Sequence, residues 1–426
     1  MSARLASLGL AALLASCGGK AGYVPPTGED AAAADADAGD DAASADASAD
    51  AEPPTCTVDE DGDRSTSADC GGRDCDDGDP SIRPGADDPG EWTFETVDAG
   101  GWALGPSLAL DRAGEVHLVY ENLSEGTLSH ATKAGDEWVV EAIEAGGRGA
   151  ALAIDGEGVL HVLHESDDGL RHARLGAEGW ASDDAARPAE GHRLAQPSLA
   201  IDGDGRLRLA FRDVAAGSSA LHLGTWDGDW TIAPLARGGL ADPPDDGAPS
   251  LAADAEGTVH VVFTSGGELR HVALVGDEPV ADAIAPGADA SAPRLAFDPS
   301  GNAVVAYRNE TDRSLWIARS DGETWAVETV DARNDPGQPA LAVDRQGAIH
   351  LLYHAAGNFD LRYATNAFGD WVFQTVDRSG EAGTAIAIDG DGAIQMGFAT
   401  TDSDLRFAGH VGGDGIDQDC SGKIDG

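Results

Sequence analysis

The sequence predicts an all-β fold in which seven repeats of four short antiparallel strands close into a ring, a seven-bladed β-propeller. Each repeat carries one aspartate at the end of its first strand: Asp111, Asp155, Asp202, Asp254, Asp298, Asp344 and Asp389. Successive aspartates are 44 to 52 residues apart, a period typical of four-stranded blades. The seventh repeat lacks its fourth strand, and a strand of matching sequence precedes the first repeat. These observations favour a closed ring over residues 91–410.

The strand that precedes the first repeat is Trp92-Thr93-Phe94-Glu95-Thr96-Val97, and it matches the Trp-led fourth strands at 325–330 and 371–376. We expect it to pair with the three strands that begin at Thr384 and to complete the last blade. Such pairing removes the exposed strand edges that would otherwise invite aggregation. It also predicts that the two ends of the ring are neighbours.

Residues 1–17 read as a secretion signal: Arg4 precedes an apolar run at 5–14 that is too short to span a bilayer. Leu14-Ala15-Ser16-Cys17 resembles the bacterial lipobox, which implies a lipid anchor on Cys17 and a place in the cell envelope, at the outer membrane. More than one acyl chain gives durable anchoring. A cleaved signal with an unmodified cysteine is the alternative.

Residues 18–55 are rich in Ala and Asp, with no aromatic after Tyr23 and no Lys or Arg after Lys20. Such a segment buries too little to order its backbone, so we expect a disordered acidic tether. The whole chain has a formal charge of −49, which argues against nucleic acid as a partner. The charge instead favours cation binding.

Two aspartate-rich segments, 56–90 and 411–426, are predicted to form one metal-binding module. Alternating carboxylates and nearby glycines can converge on a hard cation such as Ca²⁺. The candidate ligands of the first segment are Asp59, Asp61, Asp63, Asp74, Asp76, Asp77 and Asp79. Those of the second are Asp414, Asp417, Asp419, Ser421, the Lys423 carbonyl and Asp425. From Asp417 onward they follow the spacing of an EF-type loop, with Gly422 at the sixth position and no Glu at the twelfth.

The same segments resemble the MopE-type metal-binding motif of bacterial exported proteins. The matching runs are 74–86, which begins Asp-Cys-Asp-Asp, and 413–422, which reads Gly-Asp-Gly-Ile-Asp-Gln-Asp-Cys-Ser-Gly. In that family the two runs are nearly adjacent, whereas here the repeat region separates them. The family name is tied to copper, but copper prefers nitrogen or sulfur ligands and this cluster offers oxygen, so we expect structural Ca²⁺.

The four cysteines Cys56, Cys70, Cys75 and Cys420 all lie in these acidic segments. An even number in an exported chain implies two disulfides, with three possible connectivities. Free thiols or a zinc site are the alternatives, although CxxC spacing is absent. The favoured pairs are Cys56 with Cys70 and Cys75 with Cys420, the second of which requires a closed ring.

The repeat region also resembles sialidase-type, or BNR-like, propellers, through turns such as Ser320-Asp321-Gly322-Glu323-Thr324-Trp325. That resemblance implies a hydrolase with an arginine cluster and a Tyr-Glu pair. However, Tyr120, Tyr307 and Tyr353 share their repeat position with phenylalanines, which indicates packing. We therefore expect a binding or adhesion module for an extracellular protein or glycan. A sialidase-like or lyase-type enzyme is the alternative, and a copper scavenger is a third possibility.

Histidines recur at two repeat positions, with no more than one per blade at each, so framework packing or hydrogen bonding is expected of them. They are His117, His161, His260 and His350 on second strands and His130, His172 and His271 on third strands. The residue after the second-strand aromatic position varies, and strand ends on one propeller face commonly carry the ligand. The candidate ligand face therefore comprises Glu121, Glu165, Arg212, Arg308 and His354. Solvated loop positions would vary in the same way.

Overall fold

A computed structural model describes residues 92–135, 137–235, 247–275, 278–285, 289–357, 359–390 and 392–410. The residues predicted to form the lipobox, the acidic tether and the metal-binding module, with all five cysteines, lie outside these ranges. Within them the chain forms strands and turns, and it contains no helix able to cross a bilayer.

The strands form seven antiparallel sheets of four strands each. The first strand is β1 (Trp92–Asp98). Blade 1 contains β2 (Ala103–Leu110), β3 (Val116–Asn122), β4 (Thr127–Ala134) and β5 (Glu137–Ala145). Blade 2 contains β6 (Arg148–Ile154), β7 (Leu160–Ser166), β8 (Gly169–Gly176) and β9 (Gly179–Ala186). Blade 3 contains β10 (Arg193–Ile201), β11 (Leu207–Ala215), β12 (Ser218–Trp226) and β13 (Trp230–Pro234).

The remaining blades follow the same order. Blade 4 contains β14 (Ser250–Ala253), β15 (Val259–Ser265), β16 (Glu268–Val275) and β17 (Glu278–Ala285). Blade 5 contains β18 (Ala290–Phe297), β19 (Ala303–Asn309), β20 (Ser314–Ser320) and β21 (Trp325–Asp331). Blade 6 contains β22 (Ala340–Val343), β23 (Ile349–Ala355), β24 (Asp360–Phe368) and β25 (Asp370–Asp377). Blade 7 contains β26 (Gly380–Ile388), β27 (Ile394–Thr400) and β28 (Leu405–His410), with β1 as its outer strand.

The predicted closure of the ring is confirmed. Strand β1 pairs antiparallel with β28, and Trp92 lies opposite His410. The Trp92 indole N–H also donates to Gln374 Oε1 of blade 6 at 2.8 Å, and its ring meets the Tyr363 ring edge-on. The chain therefore enters and leaves the ring at neighbouring positions.

The hydrophobic core lies between adjacent blades. The second-strand aromatic position is buried in every blade that carries an aromatic there, as predicted for packing residues. One contact shows how tightly the blades approach: a Cβ on Gly397 of blade 7 would lie 2.5 Å from Leu118 Cδ2 of blade 1. A larger residue at Gly397 would force these two blades apart.

The repeated aspartate closes the turn between the first and second strands. Asp111 Oδ1 accepts the backbone N–H groups of Ala113 and Glu115, both at 2.8 Å. Gly114 completes the turn with φ of 82°, a conformation that favours glycine. Equivalent aspartate contacts recur around the ring, which explains the D-x-x-G spacing.

The framework interpretation of the histidines is confirmed by buried hydrogen bonds within single blades. His117 Nδ1 lies 3.0 Å from His130 Nε2, and the same separation joins His161 to His172. In blade 4 the distance between His260 and His271 is 2.8 Å. These pairs connect the second strand of a blade to its third.

Candidate functional site

A cavity of about 860 Å³ occupies the axis of the ring. It is lined by the beginnings of the first strands and by the ends of some second strands, so it lies at the face where those segments meet. Glu165, Arg294, Arg308 and Glu310 are the charged residues of its lining. Two arginines and two glutamates give the cavity lining a formal charge of zero, whereas the whole chain has a formal charge of −49.

The first strands place one residue per blade on a common ring of the cavity wall. These seven residues, called the inner ring, all pair with the residue just before the second-strand aromatic position. They are Ser107, Ala151, Ser198, Ser250, Arg294, Ala340 and Ala385. Six members are small, and Arg294 differs from them in both size and charge.

Arg294 has one hydrogen bond, from Nη1 to Pro293 O at 2.9 Å. No carboxylate among the described residues pairs with its guanidinium. Burial at the wall of the cavity lowers the pKa of Arg294, and no acidic neighbour among the described residues offsets that effect. The guanidinium remains cationic because its ordinary pKa is so high.

Glu165 and Arg308, both predicted for the ligand face, line the cavity. Glu165 Oε1 accepts the Gln196 N–H at 2.8 Å, and its Oε2 accepts from Arg193 Nη1 at 3.1 Å. Arg308 donates to Glu310 Oε2 at 3.1 Å and to Asp335 Oδ1 at 2.9 Å. Both side chains reach from the second strand of one blade to the next blade.

The other three predicted residues do not line this cavity. Arg212 is 3% exposed and donates to Gly247 O at 3.2 Å and to Thr264 O at 2.7 Å, so it connects blades 3 and 4. Burial raises the pKa of Glu121, with Glu165 adding to the shift and Arg148 opposing it. His354 packs against the Phe359 ring at 5.9 Å.

Two of the tyrosines at the second-strand aromatic position also connect blades. Tyr120 donates to Asp98 Oδ2 of blade 7, and Tyr353 donates to Asp331 Oδ2 of blade 5, each at 2.7 Å. Burial raises the pKa of both hydroxyls, and the partner carboxylates raise it further. Burial likewise raises the pKa of Tyr307 to about 12. All three hydroxyls are therefore protonated at neutral pH, and those of Tyr120 and Tyr353 act as donors.

Exposed aromatic residues lie on the face that carries the cavity. Trp102 precedes β2, is 62% exposed and has φ of 47°. Its carbonyl accepts the N–H of Leu123, which is 44% exposed. Phe359, in the turn before β24, is 55% exposed with φ of 64°. Bulky residues rarely adopt such backbone conformations without a structural or functional reason.

One group of possible metal ligands lies within the described ranges. Ligand atoms of Asp111, Glu115 and His117 fall within 4.8 Å of one another. The same Asp–His contact recurs in other blades, for example at 3.2 Å between Asp155 and His161. We assign it to the turn framework. The metal ligands predicted from the sequence all lie outside the described residues.

Sequence reasoning missed Arg294 and Trp102. Arg294 could have been found by aligning the first strands, because Pro-Ser-Leu at 106–108, 197–199 and 249–251 becomes Pro-Arg-Leu at 293–295. Trp102 gave no comparable signal. Its exposure follows from a left-handed backbone conformation that the sequence does not specify.

No protein-family model and no curated protein matches this sequence. Among solved structures, a catalytically inactive virginiamycin B lyase from Staphylococcus aureus is 11% identical, with a TM-score of 0.53 over 75% of this chain and 100% of that one. The extracellular domain assigned to a hybrid two-component system of B. thetaiotaomicron is 14% identical, with a TM-score of 0.51 over 74% of this chain and 39% of that one. A fucose-specific lectin from Aleuria aurantia is 16% identical, with a TM-score of 0.48 over 66% of this chain and 97% of that one. The two likenesses with a TM-score above 0.5 show the fold, and the seven four-stranded sheets make the chain a seven-bladed β-propeller.

Proposed function

We propose that the propeller is a binding module for an extracellular glycan or protein, and that the ligand docks on the face that carries the axial cavity. The observation that carries this proposal is the exposed Trp102, held in a left-handed conformation directly before β2, at the end of the blades where the first strands begin and line the cavity. Its conformation costs about 1 to 3 kcal/mol, and its exposure offers a large apolar face. Aromatic faces of this kind pack against sugar rings and apolar side chains.

The runner-up is an enzyme of the sialidase or lyase type, which requires converging arginines and carboxylates. Arg308, Glu165 and Glu310 line one cavity, but Arg212 connects two blades through backbone carbonyls instead. The tyrosine hydroxyls donate to aspartates at blade contacts. These arrangements favour binding over catalysis.

A screen of the full chain against glycans and extracellular proteins tests the proposal. Trp102→Ala is expected to weaken binding to any ligand found. Val139→Ala is the matched control, because Val139 is 48% exposed on the outer strand of the same blade. Equal affinities of the two variants would contradict docking on the cavity face, and turnover of a bound glycan would favour the enzyme.

We further propose that the chain is a lipoprotein anchored through Cys17, and that Ca²⁺ and a Cys75–Cys420 disulfide join residues 56–90 to residues 411–426, while a second disulfide, Cys56–Cys70, lies within the first segment. The adjacency of Trp92 and His410 supports this arrangement, because both acidic segments then start from one place on the ring. Oxygen-rich ligand sets suit Ca²⁺. Mass spectrometry of the membrane fraction tests the anchor and the disulfide pairs.

A further inference from the structure

The inner ring contains one charge that the fold does not use. Arg294 takes a position that serine fills in three blades and alanine in the other three. Its guanidinium makes a single hydrogen bond, to a carbonyl, and has no ion pair among the described residues. A guanidinium that is partly buried in a cavity is stabilised when a ligand brings an anionic group next to it.

The other charged groups of the cavity already have partners. Glu165 accepts from a backbone N–H and from Arg193, and Arg308 donates to Glu310 and Asp335. A charged ligand group could therefore pair with Glu165 or Arg308 only by displacing these existing contacts. Arg294 alone sets the charge preference of the inner ring.

The serines of the inner ring line the cavity and use their oxygens as acceptors within the fold. Each Oγ accepts a backbone N–H from the next blade: Ser107 from Leu152 at 3.2 Å, Ser198 from Leu251 at 3.0 Å and Ser250 from Leu295 at 3.0 Å. A hydroxyl that accepts in this way retains its own O–H to donate. The cavity wall thus combines O–H donors with one guanidinium.

On the basis of the proposed binding function, we propose that the axial cavity binds an acidic sugar, a hexuronate, whose carboxylate pairs with Arg294. The planar guanidinium matches a planar carboxylate with two parallel hydrogen bonds. One cation neutralises one negative charge, and a chain of charge −49 repels anions of higher charge. The sugar hydroxyls supply acceptors for the serine O–H groups.

The test compares methyl β-D-glucuronide with methyl β-D-glucoside. The two sugars have the same ring, but the glucuronide carries a carboxylate where the glucoside carries a hydroxymethyl group. Calorimetry on the full chain is expected to show that the glucuronide binds about tenfold tighter or more, the preference that one charge-assisted pair gives. Arg294→Ser introduces the residue that three other blades carry, and it is expected to abolish the preference. Arg294→Lys keeps the charge without the planar geometry and should retain part of it.

Arg319→Ser is the matched control, because it changes the net charge equally at a position on the third strand of blade 5 that is paired with Glu328. It is expected to leave the preference unchanged. Equal binding of both sugars by the natural chain, binding of neither, or a preference that survives in Arg294→Ser would overturn the inference.

Failure of this inference differs from failure of the proposed function. A Trp102-dependent ligand without any preference for the glucuronide leaves the binding function standing and removes the role of Arg294. A preference that needs Arg294 but is unaffected by Trp102→Ala supports the carboxylate site and removes the aromatic contact.

Discussion

Buried histidine pairs predict a loss of stability in mild acid. Burial, and next the neighbouring His161, lowers the pKa of His172 to about 3. In blade 4, burial and the neighbouring His260 lower the pKa of His271 to about 4. The unfolded chain binds protons on histidine near pH 6.5, whereas the folded chain does not until the pH is far lower. Stability is therefore full above pH 6.5 and is lost as the pH falls toward the folded values.

The magnitude follows from these values. Between pH 7 and pH 5, a histidine with a folded pKa below 5 costs roughly 2 kcal/mol of unfolding free energy. His172 and His271 are only 2% and 7% exposed, so solvent screening is small, and together they cost roughly 4 kcal/mol. The folded pKa values of Asp155 and Asp254 lie below the usual value, and the stability they contribute is lost only at lower pH. The window from pH 7 to pH 5 therefore separates the two histidines from these two aspartates.

His172→Tyr tests this reasoning, because blade 6 carries Tyr363 at the same position, with its hydroxyl 2.5 Å from His350 Nδ1. Urea unfolding of the full chain, followed by tryptophan fluorescence, measures the free energy at both pH values. The variant is expected to lose roughly 2 kcal/mol less than the natural chain between pH 7 and pH 5. Ile317→Val, a core change at the matching position of blade 5, should reduce stability equally at both pH values. An unchanged pH dependence in His172→Tyr would refute the assignment.

Three further predictions concern closure, blade contacts and metal. Trp92→Ala removes the contact between β1 and blade 6 and should reduce the unfolding free energy, measured in urea, by about 3 kcal/mol. Phe94→Ala is the control on the same strand; Phe94 is 45% exposed, so this change should cost less than half as much. Equal losses in the two variants would contradict closure through Trp92. Arg212→Met should reduce the unfolding free energy by about 2 kcal/mol, since two charged hydrogen bonds are lost, and should leave ligand affinity in calorimetry unchanged. Arg313→Met is the control: the Arg313 side chain forms an ion pair but is 68% exposed, so this change should reduce the unfolding free energy by under about 1 kcal/mol. Chelation with EDTA should lower the melting temperature, because an ion bound only to the folded state stabilises it, and an unchanged melting curve would remove the structural role of Ca²⁺.

The blade count, the strand order and the closing strand could be predicted because each depends on a pattern that repeats along the chain. The aspartate turns and the Trp-led fourth strands are local, so their spacing appears directly in the sequence. The contacts between blades are not local. Asp98 follows a Thr-Val pair that recurs at 329–330 and 375–376, but only the folded ring brings it to Tyr120 of the next blade.

The candidate site was predicted in part for the same reason. The residues selected by variation after the second-strand aromatic position share one register position, and two of them, Glu165 and Arg308, line the axial cavity. The pattern could not separate residues that line the cavity from those that only connect blades. Arg212 and Arg308 occupy equivalent positions and both donate to the following blade, but only Arg308 lines the cavity.

The geometry of the ring explains why stability and binding use different residues. Seven first strands converge on the axis, so most inner-ring residues must be small, and contacts between blades come from longer side chains on the second strands, such as Arg212. A long charged side chain on the inner ring, as at Arg294, projects into the space where a ligand would lie. Substitution of Arg212 should therefore change stability more than affinity, and substitution of Arg294, which makes no hydrogen bond to another blade among the described residues, should do the reverse. Measuring both quantities for Arg212→Met and Arg294→Ser tests this separation directly, and a large loss of stability in Arg294→Ser would contradict it.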